Sequence, residues 1–406
     1  MGLKTLLAAT AMSLIATAAV ADCAFQNDTT VKSLSAGFEA WKSVTDAMSE
    51  CGMVEAELDQ EFRKKQPEAF SANPSLYHIG GVANGTITPL LNEGLIRPLD
   101  EYVQKYGENL SPNQLIRMDG QIMAIAMMVN TQHLMYRKDI FDELGLEAPE
   151  TYGELLEAAQ RIKDAGVVDY PLGGTFASGW NLAQEFVNMH AGFGGSLFNA
   201  DSTPNINSPA GIAALEMLKS MTKYMDPEYL ASDSTYVQQQ FQQGKIAMAN
   251  LWATRGGAMD DEGESQVVGK VFAAAAPRAE EGGPPATTLW WDGIVIAANV
   301  PDEEAENAFR VAMEGLDSDM VSENQDDAIW LIAGYEPNRM AEGAIATAMA
   351  QPTPFTYPST TEMGLMHTAL GNVLPSFFTG DLSAEAALEA AEEAYSTAAR
   401  EAGVLQ

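Results

Sequence analysis

The sequence predicts an α/β protein of two domains, and three observations carry that expectation. Short apolar runs of strand length alternate with amphipathic stretches of helical period along most of the chain. Runs such as Ile122 to Val129 are apolar throughout, the pattern of a strand covered on both faces of its sheet. About 385 residues follow the apolar N-terminal stretch, more than one compact core usually organises, so two domains are expected.

The first residues read as a secretory leader. Lys4 precedes the apolar stretch Leu6 to Val20, and Ala19-Val20-Ala21 offers the small-x-small pattern for cleavage before Asp22, so residues 1–21 are assigned to a signal peptide. The stretch falls short of the ~20 apolar residues a spanning helix needs, and Asp22 ahead of Cys23 argues against a lipid anchor. The mature chain is therefore expected in the periplasm. Its two cysteines, Cys23 and Cys51, form an even pair in an oxidising compartment and are expected to be bridged, which in the chain-entropy model stabilises by ~3 to 4 kcal/mol. A metal site is not expected there, because the two lie far apart in sequence with no His close to either.

Strands are expected at Val31–Ala36 and Val54–Leu58, with a helix from about Phe38 to Glu50 between them. A third strand, Ser75–Val82, leads to a helix at Thr86–Asn92 closed by Gly94. The Ile122–Val129 strand ends in Asn130, Thr131 and Gln132, and the carboxyl end of a strand in an open parallel sheet is where ligands sit. Thr151 and Glu154 have capping-box spacing; Tyr152, Leu155, Leu156, Ala159 and Ile162 form a helical stripe that Gly166 can end. Further strands are expected at Ile246–Ala249, Val271–Ala275 and Gly293–Asn299, and helices at Glu303–Glu314, Thr361–Phe377 and Ala384–Ala399.

Charge excludes some functions. With 56 acidic against 22 basic residues and a net charge of −34, the chain repels nucleic acid and anionic membranes, and the acid excess reads as a solvated surface. No G-x-S-x-G elbow, P-loop, zinc-protease helix or G-x-G-x-x-G after a strand is present, and no cofactor or resident metal is expected. His78, His133, His190 and His367 are isolated in sequence, as structural histidines usually are. An enzyme is disfavoured, although two suitably spaced carboxylates occur in any acidic chain, which keeps a secreted carbohydrate-active enzyme as an alternative.

Tryptophan placement is the positive signal. Trp180, Trp252, Trp290, Trp291 and Trp330 lie near strand ends or the loops beyond them, where flat rings can face the C–H surfaces of a sugar. A buried core position is the ordinary fate of any one Trp; position at a strand end raises Trp252 and Trp291 above it.

The run NTQHLMYRKDIFDELGLEAPETYGELLEAAQRIKDAG, beginning at Asn130, resembles the hallmark segment of the extracellular solute-binding proteins of family 1, the relatives of maltose-binding protein that serve ABC importers. The segment Gly94-Leu95-Ile96-Arg97-Pro98-Leu99-Asp100 is similar to a second family segment. The resemblance implies a two-lobe periplasmic-binding-protein fold with a ligand cleft and three interlobe crossings. Residues 22–129 and about 293–350 would form the N-terminal lobe, and about 130–292 and 351–406 the C-terminal lobe. It also implies a receptor, expected to be monomeric, that captures a sugar, oligosaccharide or polyol and delivers it to a membrane permease; an osmolyte or quaternary amine in a Trp cage is the alternative.

Carried over position by position, the resemblance points to Glu39 and Trp41 after the first strand, Asn84 and Thr86 after the third, and Asn130 and Gln132 at the first crossing. From the second lobe it points to Trp180, Asn250, Trp252 and Arg255, and beside the second crossing to Trp291 and Asp292. The loop SAGFEAWK does not reproduce its counterpart in maltose-binding protein, so Glu39 and Trp41 can equally face solvent and core. Asn130 stands where the maltose binder has an acidic group, which implies a different ligand or orientation.

Overall fold

A computed structural model describes Cys23, Phe25 and residues 27 to 406. The leader assigned to residues 1–21 lies outside the described residues. Two sheets organise the chain. The larger runs in the order Ile329–Trp330, Gln121–Asn130, Thr288–Ile296, Ile79–Ala83, Asn27–Ser35, Gly52–Leu58, with Leu115–Met118 added on Gln121–Asn130 and Phe355–Thr356 on Thr288–Ile296. The smaller runs Tyr170–Gly173, Ile246–Trp252, Gln132–Arg137, Val271–Ala274. Each sheet has its own apolar core, one centred on Leu34, Phe70, Ile125 and Phe309, the other on Leu155, Phe186, Leu215 and Tyr395.

The sheets are mixed rather than parallel. Asn27–Ser35 pairs in parallel with Gly52–Leu58 and Ile79–Ala83, but Thr288–Ile296 is antiparallel to Ile79–Ala83 and to Gln121–Asn130. Continuous apolarity reports burial on both faces, which either strand direction satisfies, so it does not fix direction. The first three strands end at Ser35, Leu58 and Ala83 toward one edge, and Gln121–Asn130, antiparallel to the same strand as Ile79–Ala83, runs in their direction and brings Asn130 to that edge as well.

Only Thr131 separates the strand of the first sheet from the strand Gln132–Arg137 of the second, so the first crossing is a single residue. The second precedes Thr288. The third departs from expectation: after Trp330 pairs with Met128, the helix Ala341–Ala348 packs on Val271–Ala274 and Gln132–Arg137, so the chain crosses between them and not near residue 351. Residues 341–348 thus sit with the C-terminal lobe. The small face of that helix explains it, since a Cβ on Gly343 would lie 2.5 Å from the His133 ring and 2.6 Å from the Ala274 carbonyl.

The local reading holds where it rests on chemistry. Thr151 Oγ1 accepts from the Glu154 N–H at 3.2 Å, Glu154 Oε2 accepts from the Thr151 N–H at 3.1 Å, and Gly166 ends the helix Tyr152–Ala165 with φ 64°. Asn27–Ser35, Gly52–Leu58, Glu39–Met48 and Ile87–Asn92 form as expected within a few residues. The helices Phe62–Ser71 and Asp100–Tyr106, by contrast, were not read from the sequence.

Cys23 and Cys51 are disulfide-bonded, which leaves neither a thiolate to offer a metal even though Glu314 lies beside them. The bridge fastens the start of the described chain to the turn after Glu39–Met48. Cys51→Ser should lower the unfolding free energy by about 2 to 4 kcal/mol in a urea titration while leaving ligand affinity unchanged; an unaltered midpoint would contradict the stabilising role.

Candidate functional site

The strand Thr288–Ile296 sets the site. Residues two apart share a face of a strand, so Trp290 and Asp292 project together and Trp291 to the other side. Trp290 joins the C-terminal lobe's core edge, whereas Trp291 packs against the N-terminal lobe. Asp292 lies opposite Ala83, at the carboxyl end of Ile79–Ala83.

Four aromatic side chains form one wall. Trp180, at the start of the helix Trp180–Gly192, lies 6.4 Å from Trp252 and 5.7 Å from Trp290, ring centre to ring centre; Trp252 and Trp290 meet edge to face at 6.1 Å. Tyr357 lies against Trp290 at 4.1 Å. Such tilted and edge-on pairs hold one another's orientation and leave Trp180 and Trp252 half-buried. Gly85 lets the N-terminal lobe approach this wall, because a Cβ there would stand 3.1 Å from Tyr357 and 3.2 Å from Trp290.

Two charged groups face the wall. Arg63, in the first turn of Phe62–Ser71, places its guanidinium 4.8 Å from the Trp180 ring centre, reaching from one lobe to the other. It keeps solvent access, yet the surrounding protein depresses its pKa, and among the described residues no carboxylate lies within ion-pairing distance. Half-buried Asp292 has no hydrogen-bond partner among the described residues; burial pushes its pKa up to about 7, against the opposing field of Arg63. These are donors and acceptors that the fold leaves unspent.

The other expected ligand residues have partners within the protein. Trp41 is 2% exposed and packs under Gly81, while Glu39 is exposed and pairs with Lys42 at 3.4 Å. Asn84 uses both ends of its amide, donating to the Tyr357 carbonyl at 3.0 Å and accepting from the Trp291 N–H at 2.7 Å. It fastens the third-strand turn to two other segments. Thr86 accepts from the Ala83 N–H at 2.8 Å and closes that turn. Asn130 is half-buried, accepting from the Thr131 N–H at 3.1 Å with Thr254 at 3.5 Å on its other side. Asn250 is turned inward to the Tyr152 hydroxyl, and Arg255 donates to Gln238 at 3.2 Å, Ser234 at 3.1 Å and Thr235 at 3.4 Å.

Gln132 belongs to a buried polar network. Its Nε2 donates to Thr175 at 3.0 Å and Glu185 at 2.9 Å, and its Oε1 accepts from Asn188 at 2.5 Å. Gln184 donates to Asn188 and to Thr288, each at 2.8 Å, and Trp290 Nε1 donates to Thr288 at 2.7 Å. The network thus joins the first crossing, the second crossing and the aromatic wall. Trp180, Trp252 and Asp292 are therefore the expected residues brought together at one place; Trp290, noted for its position but ranked below Trp252 and Trp291, completes it together with Arg63 and Tyr357, which the sequence does not single out. Alternation from Asp292 could have found Trp290, but Arg63 sits on the unread helix.

The model for the bacterial extracellular solute-binding protein family matches residues 74–314. This chain belongs to that family. It is 24% identical over 302 residues to the sn-glycerol-3-phosphate-binding periplasmic protein UgpB of Rhizobium meliloti (strain 1021), a match covering 69% of this chain and 64% of that one. The chain spans about half to two thirds of the length of the curated relatives it matches. In structure it is similar to an ABC transporter solute-binding protein of Agrobacterium radiobacter K84 in complex with ribitol, at TM-score 0.80 and 21% identity over 92% of this chain and 100% of that one. It is also similar to maltose-bound T. maritima MalE3, at TM-score 0.79 and 18% identity over 91% and 100%. No helix among the described residues is long and apolar enough to cross a membrane.

Glu185 supplies a pH test of the network. It is 4% exposed and burial pushes its pKa up to about 7 from an ordinary 4.5, so the folded protein holds a proton that the unfolded chain releases earlier. Stability should therefore fall as pH rises from about 4.5 to about 7 and level off above. Glu185→Gln keeps an acceptor for Gln132 and Thr175 and should flatten that slope in melting curves across the range. An identical slope in the variant would assign it elsewhere.

Proposed function

We propose that this protein is the periplasmic receptor of an ABC importer, capturing an uncharged sugar or polyol between its lobes and passing it unchanged to a membrane permease as a monomer. The observation that carries this reading is the aromatic wall of Trp180, Trp252, Trp290 and Tyr357, faced by the unspent Arg63 and Asp292. Rings of this kind match the apolar faces of a carbon chain or pyranose, while a carboxyl and a guanidinium take the hydroxyls between them. A hydroxyl missing from the guest leaves one of these groups unpaired at about 1 to 3 kcal/mol, which is the basis of selection.

The quaternary-amine alternative loses ground because the face of Trp180 already carries the Arg63 cation. A second cation there would meet a guanidinium rather than a free ring. For glycoside cleavage, Asp292 and Glu185 are the carboxyls beside the wall with raised pKa values, and Glu185 is sealed in the network with Thr175 and Gln132. A carboxyl 4% exposed and held in that network does not offer itself to a glycosidic bond as acid or base must.

Calorimetry with ribitol, maltose, sn-glycerol 3-phosphate and betaine tests the reading. Saturable binding of ribitol or maltose, recovered intact, is the expected result; binding of betaine alone, or turnover, would overturn it. Trp252→Ala and Asp292→Asn should each weaken the bound probe about tenfold or more, the loss of roughly 1.4 kcal/mol, with little change in apo melting temperature. A large drop in apo stability for Trp252→Ala would make that ring part of the core instead.

A further inference from the structure

His367, isolated in sequence and 3% exposed, contacts two members of the aromatic wall, Trp180 and Tyr357. It lies on the helix Thr361–Val373 with Nε2 2.9 Å from the Trp180 carbonyl oxygen and Nδ1 2.8 Å from the Tyr357 hydroxyl. Its ring stacks on that of Trp180 at 4.9 Å with the planes 24° apart. A carbonyl oxygen only accepts, so Nε2 carries the proton. In the neutral ring Nδ1 is then an acceptor, and the Tyr357 hydroxyl must donate to it.

We propose that His367 is a positioning and specificity-determining residue for the solute: it commits the Tyr357 hydroxyl proton to its own Nδ1, so that Tyr357 presents acceptor lone pairs to the cleft and selects a guest with a hydroxyl donor there. This rests on the proposed sugar or polyol reading. Burial holds the imidazole neutral, pushing its pKa down to about 4, so the arrangement persists across the neutral range. The same ring backs Trp180, which also neighbours Arg63, Trp252 and Trp290. One side chain therefore orients both a hydrogen-bonding group and a stacking surface.

A double-mutant cycle in calorimetry, with ribitol and maltose as probes, tests it. His367→Phe keeps a flat ring but removes both hydrogen bonds and should weaken the bound probe about tenfold, whereas the same change in a Tyr357→Phe background should cost less than about twofold. His367→Gln, whose amide can donate to the Trp180 carbonyl and accept from Tyr357, should recover most of the affinity. Losses that multiply independently, or wild-type affinity in His367→Phe, would overturn the role while leaving the sugar reading intact. Absence of binding by the unaltered protein to either probe would overturn both. Nitrogen NMR of the labelled unaltered protein gives a test free of folding effects: the Nε2-protonated tautomer is expected, and the Nδ1-protonated form would refute the assignment.

Discussion

The site depends on one strand being held from both sides. Thr288–Ile296 is hydrogen-bonded to Ile79–Ala83 and to Gln121–Asn130, and its first residues lie at the second crossing between the sheets. A strand so fixed cannot rotate, and a slip of one residue would exchange Trp290 and Asp292 for Trp291. The cleft's aromatic wall and its carboxyl thus follow from register. Asn84 reinforces it from the side, because an amide that bonds both Trp291 and Tyr357 fixes two segments against one turn.

Beneath the wall, polarity does what apolar packing could not. Gln132, Thr175, Gln184, Glu185, Asn188 and Thr288 are all buried, and an unpaired polar group in such a place costs about 1 to 3 kcal/mol. Mutual pairing removes most of that cost only in one arrangement, so the crossings are specified in direction as well as in position. Leucines of similar volume would bury as well but would tolerate several packings. The raised pKa of Glu185 fits this logic, since an ionised carboxylate there would meet no cation among the described residues.

Much of the fold was legible because it rests on local chemistry. The capped helix Tyr152–Ala165 is written in Thr151, Glu154 and Gly166, the α/β class in the alternation of strand and helix, and the two lobes in the family resemblance of the run from Asn130. Strand direction was not legible, since continuous burial of Ile122 to Val129 is equally satisfied by antiparallel partners. The third crossing was misplaced for a related reason: Ala341–Ala348 is short and small-faced, and only contact with His133 and Ala274 reveals its lobe. At the site, residue type announced Trp180, Trp252 and Asp292, but whether an amide serves a guest or the hinge depends on partners far away in sequence. Gln132 meets Glu185, and Asn84 meets Tyr357, so both are consumed. Arg63 shows the converse, a residue without a motif that matters because its partner Trp180 belongs to the other lobe.

That cross-lobe contact also bears on how a guest acts. Arg63 over Trp180 gives the lobes an attraction of their own, on the order of 0.5 to 2 kcal/mol for a partly desolvated pair. A guest can shift the lobe equilibrium only by the difference between its affinities for the open and closed arrangements. Contacts to one lobe alone, however strong, therefore drive no closure. A molecule that spans from Asp292 on the N-terminal lobe to Trp252 on the C-terminal lobe gains both sets of contacts only when the lobes meet. An uncharged polyhydroxylated guest can do this without displacing Arg63, adding hydrogen bonds to a guanidinium that already lies on Trp180. A compact cation would first have to remove that guanidinium, losing the contact that favours closure before making its own.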